Sequence, residues 1–267
     1  MTFKEWIFSS YPNPKVNGQW GLLHIATLVV CITAIVVIAL LLKNKSEKAK
    51  RIVLWVLVSL IFMFELTRRI IGFILMTNFY IRDVLYILLP RPWCAISCWA
   101  LMISVVVNKK WLYNFASFSS LLCAIIFFAY PGVGFNNVYM LFENVYSICT
   151  HALLLITSIT LITLKFTKFE YKTIWKDLIC LAVVILYTFI EIYLLKIESD
   201  PMYFMPNGDV QSILGVSYPL YLTIYLVFMF VYINLFYLIG DRQNVKKFFA
   251  KFKKEKPVID NASSVEK

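Results

Sequence analysis

The chain has 267 residues, 61% of them hydrophobic and only 15% charged, against about 25% charged residues in an ordinary soluble domain. Its formal net charge is +11. That balance excludes a water-soluble globular domain, and basic residues confined to segments between apolar runs require no nucleic acid partner.

A helix that crosses a bilayer needs about 20 mostly apolar residues. On that measure the pattern predicts an all-α, polytopic membrane helical bundle of about seven spans, at roughly 20–42, 52–76, 92–108, 111–130, 139–164, 177–195 and 216–239. Residues 1–242 form this membrane domain and 243–267 a basic tail. No cleavable signal peptide is expected, since "MTFKEWIFSSYPNPKVNGQW" has no short apolar core followed by small cleavage-site residues. Glu65, Arg68 and Arg69 interrupt the second span, and Glu191 the sixth. Ahead of the short third span, "FYIRDVLYILL" reads as a partly buried or re-entrant helix. No internal repeat of the transporter kind is evident.

Lys and Arg in the connections set the orientation. "KNKSEKAKR" (Lys43 to Arg51), the pair Lys109 and Lys110, and the set Lys165, Lys168, Lys172 and Lys176 fall on one side, together with the tail from Arg242. The alternate connections, "PGVGFNN" and "KIESDPMYFMPNGDVQ", hold almost none. The expectation is a multi-pass cell-membrane protein with an extracytoplasmic N-terminus and a cytoplasmic C-terminus. The tail segment "VKKFFAKFKKEK" reads as a topology anchor, and its mixture of Lys with Phe also suits an anionic lipid surface.

All six cysteines fall within spans, so no disulfide framework is read. Cys94 and Cys98 share a helical face at i, i+4, but a closed zinc site wants four Cys or His ligands at recognisable spacing, and neither metal nor cofactor is expected. The two histidines, His24 and His151, are both inside apolar spans. An intramembrane ionisable group points to a functional site by default, although a lone histidine can also serve as a hydrogen bonder between helices.

Depth sharpens the reading. Counted from the cytoplasmic ends, Cys94 lies 14 residues before Asn108 and His151 lies 13 before Leu164. Glu65 is 13 after Ile52 and Glu191 is 13 after Leu178. All four project to one layer about 20 Å above that boundary, which points to a shared buried site. Glu143, Ser147 and His151 form a polar stripe at i, i+4, i+8. Glu65 can equally be a structural partner of Arg68 or Arg69, and Glu191 of Tyr187.

Pro92 favours a helix start at its own position, which places Cys94 in the first turn. There the free backbone N–H groups and the helix dipole can stabilise a thiolate, while apolar burial opposes it. A nearby histidine would take the thiol proton. The same N–H groups could hold the oxyanion formed when the thiolate attacks an ester carbonyl.

These motifs resemble the bacterial YwaF-type integral membrane proteins, relatives of the eukaryotic transmembrane protein 164 acyltransferases, over roughly residues 15–240. "LPRPWC" matches the family's leucine-proline pair ahead of a cysteine at the start of a span, with Cys94 in that place. "SICTHALLL" matches its later histidine with His151, and "GLLHIATL" its early one with His24. "LGVSYPLY" matches the late glycine-proline-tyrosine signature with Gly215, Pro219 and Tyr221. The chain departs from the pattern at Pro92, where bacterial members commonly carry a histidine, and at "SDPMYFM", which keeps only Tyr203 of an asparagine-tyrosine motif.

The resemblance implies a membrane acyltransferase with Cys94 as acyl-carrying nucleophile and His151 as its partner. The expected substrates are membrane lipids, an acyl donor and a lysolipid acceptor. Arg91 at the outer interface could hold a phosphate or act as an ordinary interfacial anchor. A second reading makes the protein a small-solute or proton carrier with Glu65, Glu191 and His151 along its path. A third is a non-catalytic membrane partner.

Overall fold

The computed structural model describes residues 20–76, 80–129, 134–135, 141–196, 202–203, 205–206 and 208–246. The segment ahead of Trp20, most of "PGVGFNN" and the basic tail beyond 246 lie outside them. Nine α-helices follow one another among the described residues, with no strand. They are α1 (Leu22–Leu42), α2 (Glu47–Leu75), α3 (Ile81–Leu88), α4 (Trp93–Val107), α5 (Lys110–Ala129), α6 (Phe142–Thr163), α7 (Ile174–Phe189), α8 (Asp209–Leu214) and α9 (Tyr218–Gly240). A 3₁₀ turn, Tyr171–Thr173, leads into α7, and a π-helical turn, Ile190–Leu194, continues it.

Five stretches are long and apolar enough to cross a membrane: α1, α5, α6, Tyr171–Leu194 and α9. A sixth results if α3 and α4, bent by 61° at the connector between them, count as one broken span. The predicted seventh is α2. Its 29 residues extend roughly 43 Å at 1.5 Å per residue, but Glu65, Arg68 and Arg69 deny it a long uncharged window. It also begins earlier than its apolar pattern. Ser46 caps it by accepting a hydrogen bond from the Ala49 N–H at 3.3 Å, and Lys50 pairs with Glu47 at 2.7 Å.

Small and polar residues are buried among apolar ones between the helices, and large apolar side chains cover the outside. The central helix α5 packs against α4, α6 and α7, while α6 also meets α1 and α2. Small residues let these backbones approach, as membrane helices require when no water drives them together. On α5, Ala116, Ser117, Ser119, Ser120 and Ala124 are all buried. Ser97 of α4 bonds Ser119 at 2.6 Å, Ser117 donates to the Ser158 carbonyl of α6 at 3.1 Å, and Tyr232 of α9 donates to the Phe118 carbonyl at 2.8 Å. The outward faces of α1 and α9 carry exposed Val30, Leu40, Phe230 and Ile239 instead.

The basic connections share one end of the bundle. Arg51 donates to Asn108 at 2.8 Å, Asn114 exchanges hydrogen bonds with the Lys168 backbone at 2.9 and 2.8 Å, and the Tyr171 N–H donates to Asp241 at 3.0 Å. Asn108 and Lys165, both with positive φ, close α4 and α6 at that end.

Ser117→Leu, which forces a large side chain into the α5–α6 seam, should cost about 1–3 kcal/mol and lower the thermal unfolding midpoint of the detergent-purified protein. Val30→Leu, on the outward face of α1, should leave the midpoint unchanged. Equal midpoints for both variants would overturn this assignment of inner and outer faces.

Candidate active site

The site begins with a stretch of backbone that cannot satisfy itself. Between α3 and α4 the chain leaves the helix at Leu89–Pro92, and inside a membrane such carbonyls need protein donors. Every carbonyl from Tyr86 to Pro92 has one. Arg91 donates to Tyr86 at 3.1 Å, and Arg69 reaches Ile87, Leu88 and, at 3.1 Å, Leu89. Tyr187 reaches Pro90 at 3.5 Å, Arg68 reaches Arg91 at 3.1 Å, and the Ala95 and Ile96 N–H groups take Pro92 at 2.9 and 3.2 Å.

Two buried carboxylates orient these donors. Glu65 accepts from Arg69 at close range, from Arg68 at 3.4 Å and from the Tyr146 hydroxyl at 3.0 Å. Glu191 pairs with Arg91 at 3.6 Å and accepts from Tyr187 at 2.6 Å. The Arg91 guanidinium also lies 3.7 Å over the Tyr86 ring.

This framework delivers Cys94 to the wall of a cavity of about 940 Å³. The cavity occupies the end of the bundle opposite the basic connections. It is bounded by the C-terminal parts of α2 and α5, the first turn of α4, the first half of α6, and α9 with the residues leading into it. Cys94, Arg68, Tyr146, Ser147, Thr150 and His151 form its polar patch. Ile71, Leu75, Ile126, Phe142, Phe228 and Met229 are among its apolar walls. Pro92 is the N-cap of α4 rather than its first residue, so Cys94 takes the second helical position, whose N–H has no intrahelical acceptor.

His151 is held in a defined orientation. Its Nδ1 lies 2.7 Å from the Ser147 carbonyl, which fixes the proton on Nδ1 and leaves the lone pair on Nε2. The ring stacks flat on Phe127, with centroids 3.9 Å apart and planes 5° from parallel. The expected polar stripe is present, since Glu143, Ser147 and His151 all line the cavity.

Other expected site residues stand elsewhere. Glu65 and Glu191 are fully buried and line no part of the cavity, because each is engaged by the groups that support the connector. Of the four residues counted to one layer, Cys94 and His151 line the cavity and Glu65 and Glu191 do not. Arg91 does not line the cavity. It is buried, with Glu191 and Tyr86 around its guanidinium, and the arginines that line the cavity are Arg68 and the more deeply buried Arg69. His24 is buried among Trp20, Phe128 and Phe135, with ring centroids 4.9, 6.0 and 4.7 Å away. It backs the aromatic layer to which Phe127 belongs. Cys98 is buried off the cavity, so Cys94 and Cys98 do not act as a pair there, whereas Cys123 lines it.

Over residues 19–238 the sequence matches the model of the TMEM164 family. The chain belongs to that family. No curated protein and no solved structure matches it. The matched stretch takes in the helical bundle from the start of α1 to the last turns of α9, and with it Arg68, Cys94 and His151. The late signature reaches the cavity through Tyr221. Gly215 ends α8 at φ +64, Pro219 sits in the first turn of α9, and the Tyr221 hydroxyl donates to the Tyr203 carbonyl, both tyrosines lining the cavity.

Removing the carboxylate from the arginine pair should be a structural lesion. Glu65→Ala leaves the buried Arg69 and the half-buried Arg68 short of a partner and should destabilise the protein by about 3–5 kcal/mol. Thermal unfolding of the variant checks this, and an unchanged midpoint would show that Glu65 does not support the fold.

Proposed function

We propose that this TMEM164-family protein is an integral membrane acyltransferase that moves a fatty acyl group between membrane lipids through a thioester on Cys94. The observation that carries the proposal is the placement of Cys94, at a helix N-terminus, and of an oriented His151 on the polar patch of one cavity with apolar walls. Such a cavity suits a substrate with a polar ester region and long hydrocarbon chains.

In the proposed reaction, His151 Nε2 takes the thiol proton and the sulfur attacks the ester carbonyl of the donor lipid. The tetrahedral intermediate collapses with loss of the lysolipid alkoxide, which receives the proton from the imidazolium. The acceptor's hydroxyl then attacks the thioester, giving its proton to His151, and the thiolate leaves and is reprotonated. Backbone N–H groups at the start of α4 are suitably placed to stabilise the oxyanions. Walls of Phe, Leu and Ile keep water scarce, which favours the lipid acceptor over hydrolysis.

The positive-inside pattern supports a cytoplasmic face at the end where the basic connections meet, with the N-terminus and the cavity on the opposite side. The positions of Glu65 and Glu191, each engaged by arginine and tyrosine partners away from the cavity, favour the acyl-transfer reading over the carrier one.

Incubation with a radiolabelled phospholipid should give an acyl-protein adduct that neutral hydroxylamine releases, and Cys94→Ala should abolish it. His151→Ala should slow transfer by about 10²–10⁴-fold, the usual contribution of a general base. An adduct that persists in Cys94→Ala would rule out this nucleophile, and no adduct or turnover across a broad lipid panel would reject the enzyme reading. A lipid-soluble thiol reagent should label Cys94 faster than Cys31 or Cys180, which line no part of the cavity. A reporter fused after Gly240 should be active only in the cytoplasm, and activity on the other side would overturn the orientation.

A further inference from the structure

The cavity wall carries one positive charge that the protein does not balance. Arg68 and Arg69 are successive residues of α2, and Glu65 is the one carboxylate with which either forms an ion pair among the described residues. Arg69 has the closer contact, its side chain is only 6% exposed, and its second amino group is spent on the connector carbonyls. Arg68 stands off Glu65 at 3.4 Å, with 38% of its side chain exposed, and lines the cavity.

The donors of Arg68 are only partly used. Nη2 serves both Glu65 and the Arg91 carbonyl, while Nε and Nη1 have no hydrogen-bond partner among the described residues. Glu143, the one carboxylate among the described lining residues, lies in the exposed first turn of α6 and forms no ion pair with Arg68. A guanidinium at membrane depth is costly unless something anionic meets it. Its planar fork matches phosphate oxygens. Arg68 and Cys94 line the same cavity, so an anion bound here shares it with the proposed nucleophile.

We infer that Arg68 forms a phosphate subsite in the cavity and selects phosphate-bearing lipids over neutral diacyl lipids. In a glycerophospholipid the phosphate and the ester carbonyls are joined by a short glycerol backbone. Binding the first at Arg68 brings the second toward Cys94 and leaves the acyl chains for the wall of Ile71, Leu75, Ile126 and Phe228. This deepens the acyl-transfer reading, but the test reads binding in Cys94→Ala protein, where no thioester can form, so the two stand or fall separately.

The full chain carrying Cys94→Ala, purified in a neutral detergent, is titrated with phosphatidylglycerol, with diacylglycerol of the same chains, and with inorganic phosphate. Phosphatidylglycerol should bind at least about ten-fold more tightly than diacylglycerol, the scale of a charge-assisted hydrogen bond. Arg68→Gln should erase that preference while leaving diacylglycerol binding unchanged, and Arg68→Lys should keep part of it. Inorganic phosphate that binds by itself and is lost in Arg68→Gln would also support the subsite, with free phosphate as a second occupant. Equal binding of the two lipids by the parent protein overturns the inference without any Arg68 variant. So does a preference that survives Arg68→Gln in protein that still elutes as a single folded species.

Discussion

The constraint on which this structure turns is that no carbonyl can go unpaired where lipid replaces water. A helix satisfies its own backbone, but the connector ahead of α4 cannot. The protein meets the demand with arginines, whose several donors can each reach a different carbonyl. Arg69 alone serves three successive residues, and Arg68 and Tyr187 serve the next two. Bringing arginines to that depth in turn requires buried carboxylates, and Glu65 and Glu191 fill that need. The charged residues that interrupt two spans are thus consequences of one break in the helical backbone.

What the break accomplishes is placement. Had α3 and α4 been one continuous helix, Cys94 would lie in mid-helix with its amide bonded to the preceding turn. The 61° bend instead makes it the second residue of a new helix, beside a cavity that His151 also lines. α2 supplies both the staple and the exposed Arg68, so scaffold and polar patch are adjacent residues of one helix. Tyr146 links the same network to α6, through its hydrogen bond to Glu65, five residues ahead of His151. The geometry of the two key side chains is therefore coupled through a single buried carboxylate.

The rest of the bundle divides the work by polarity. The serine- and alanine-rich faces of α4 and α5 pack closely, which holds the floor of the cavity at fixed spacing. α1 contributes mainly an apolar outer face and His24, whose aromatic neighbours continue to Phe127 and so to the flat support beneath His151.

The sequence by itself determined the helical membrane class, because a long uncharged run in a chain this apolar has one stable form in a bilayer. It also identified the helix start at Cys94 and the stripe that contains His151, since both are local patterns of capping and helical period. Glu65 was read as a structural partner of Arg68 or Arg69, and the residues do not say which of the two it holds more closely. Tertiary structure decided that. Depth along a helix can be counted from sequence, but the direction a side chain faces depends on which neighbour packs against it. For this reason Glu65 and Glu191, counted along their helices to the level of Cys94, turned out to line no part of the cavity, and Arg68 rather than Arg91 came to face it.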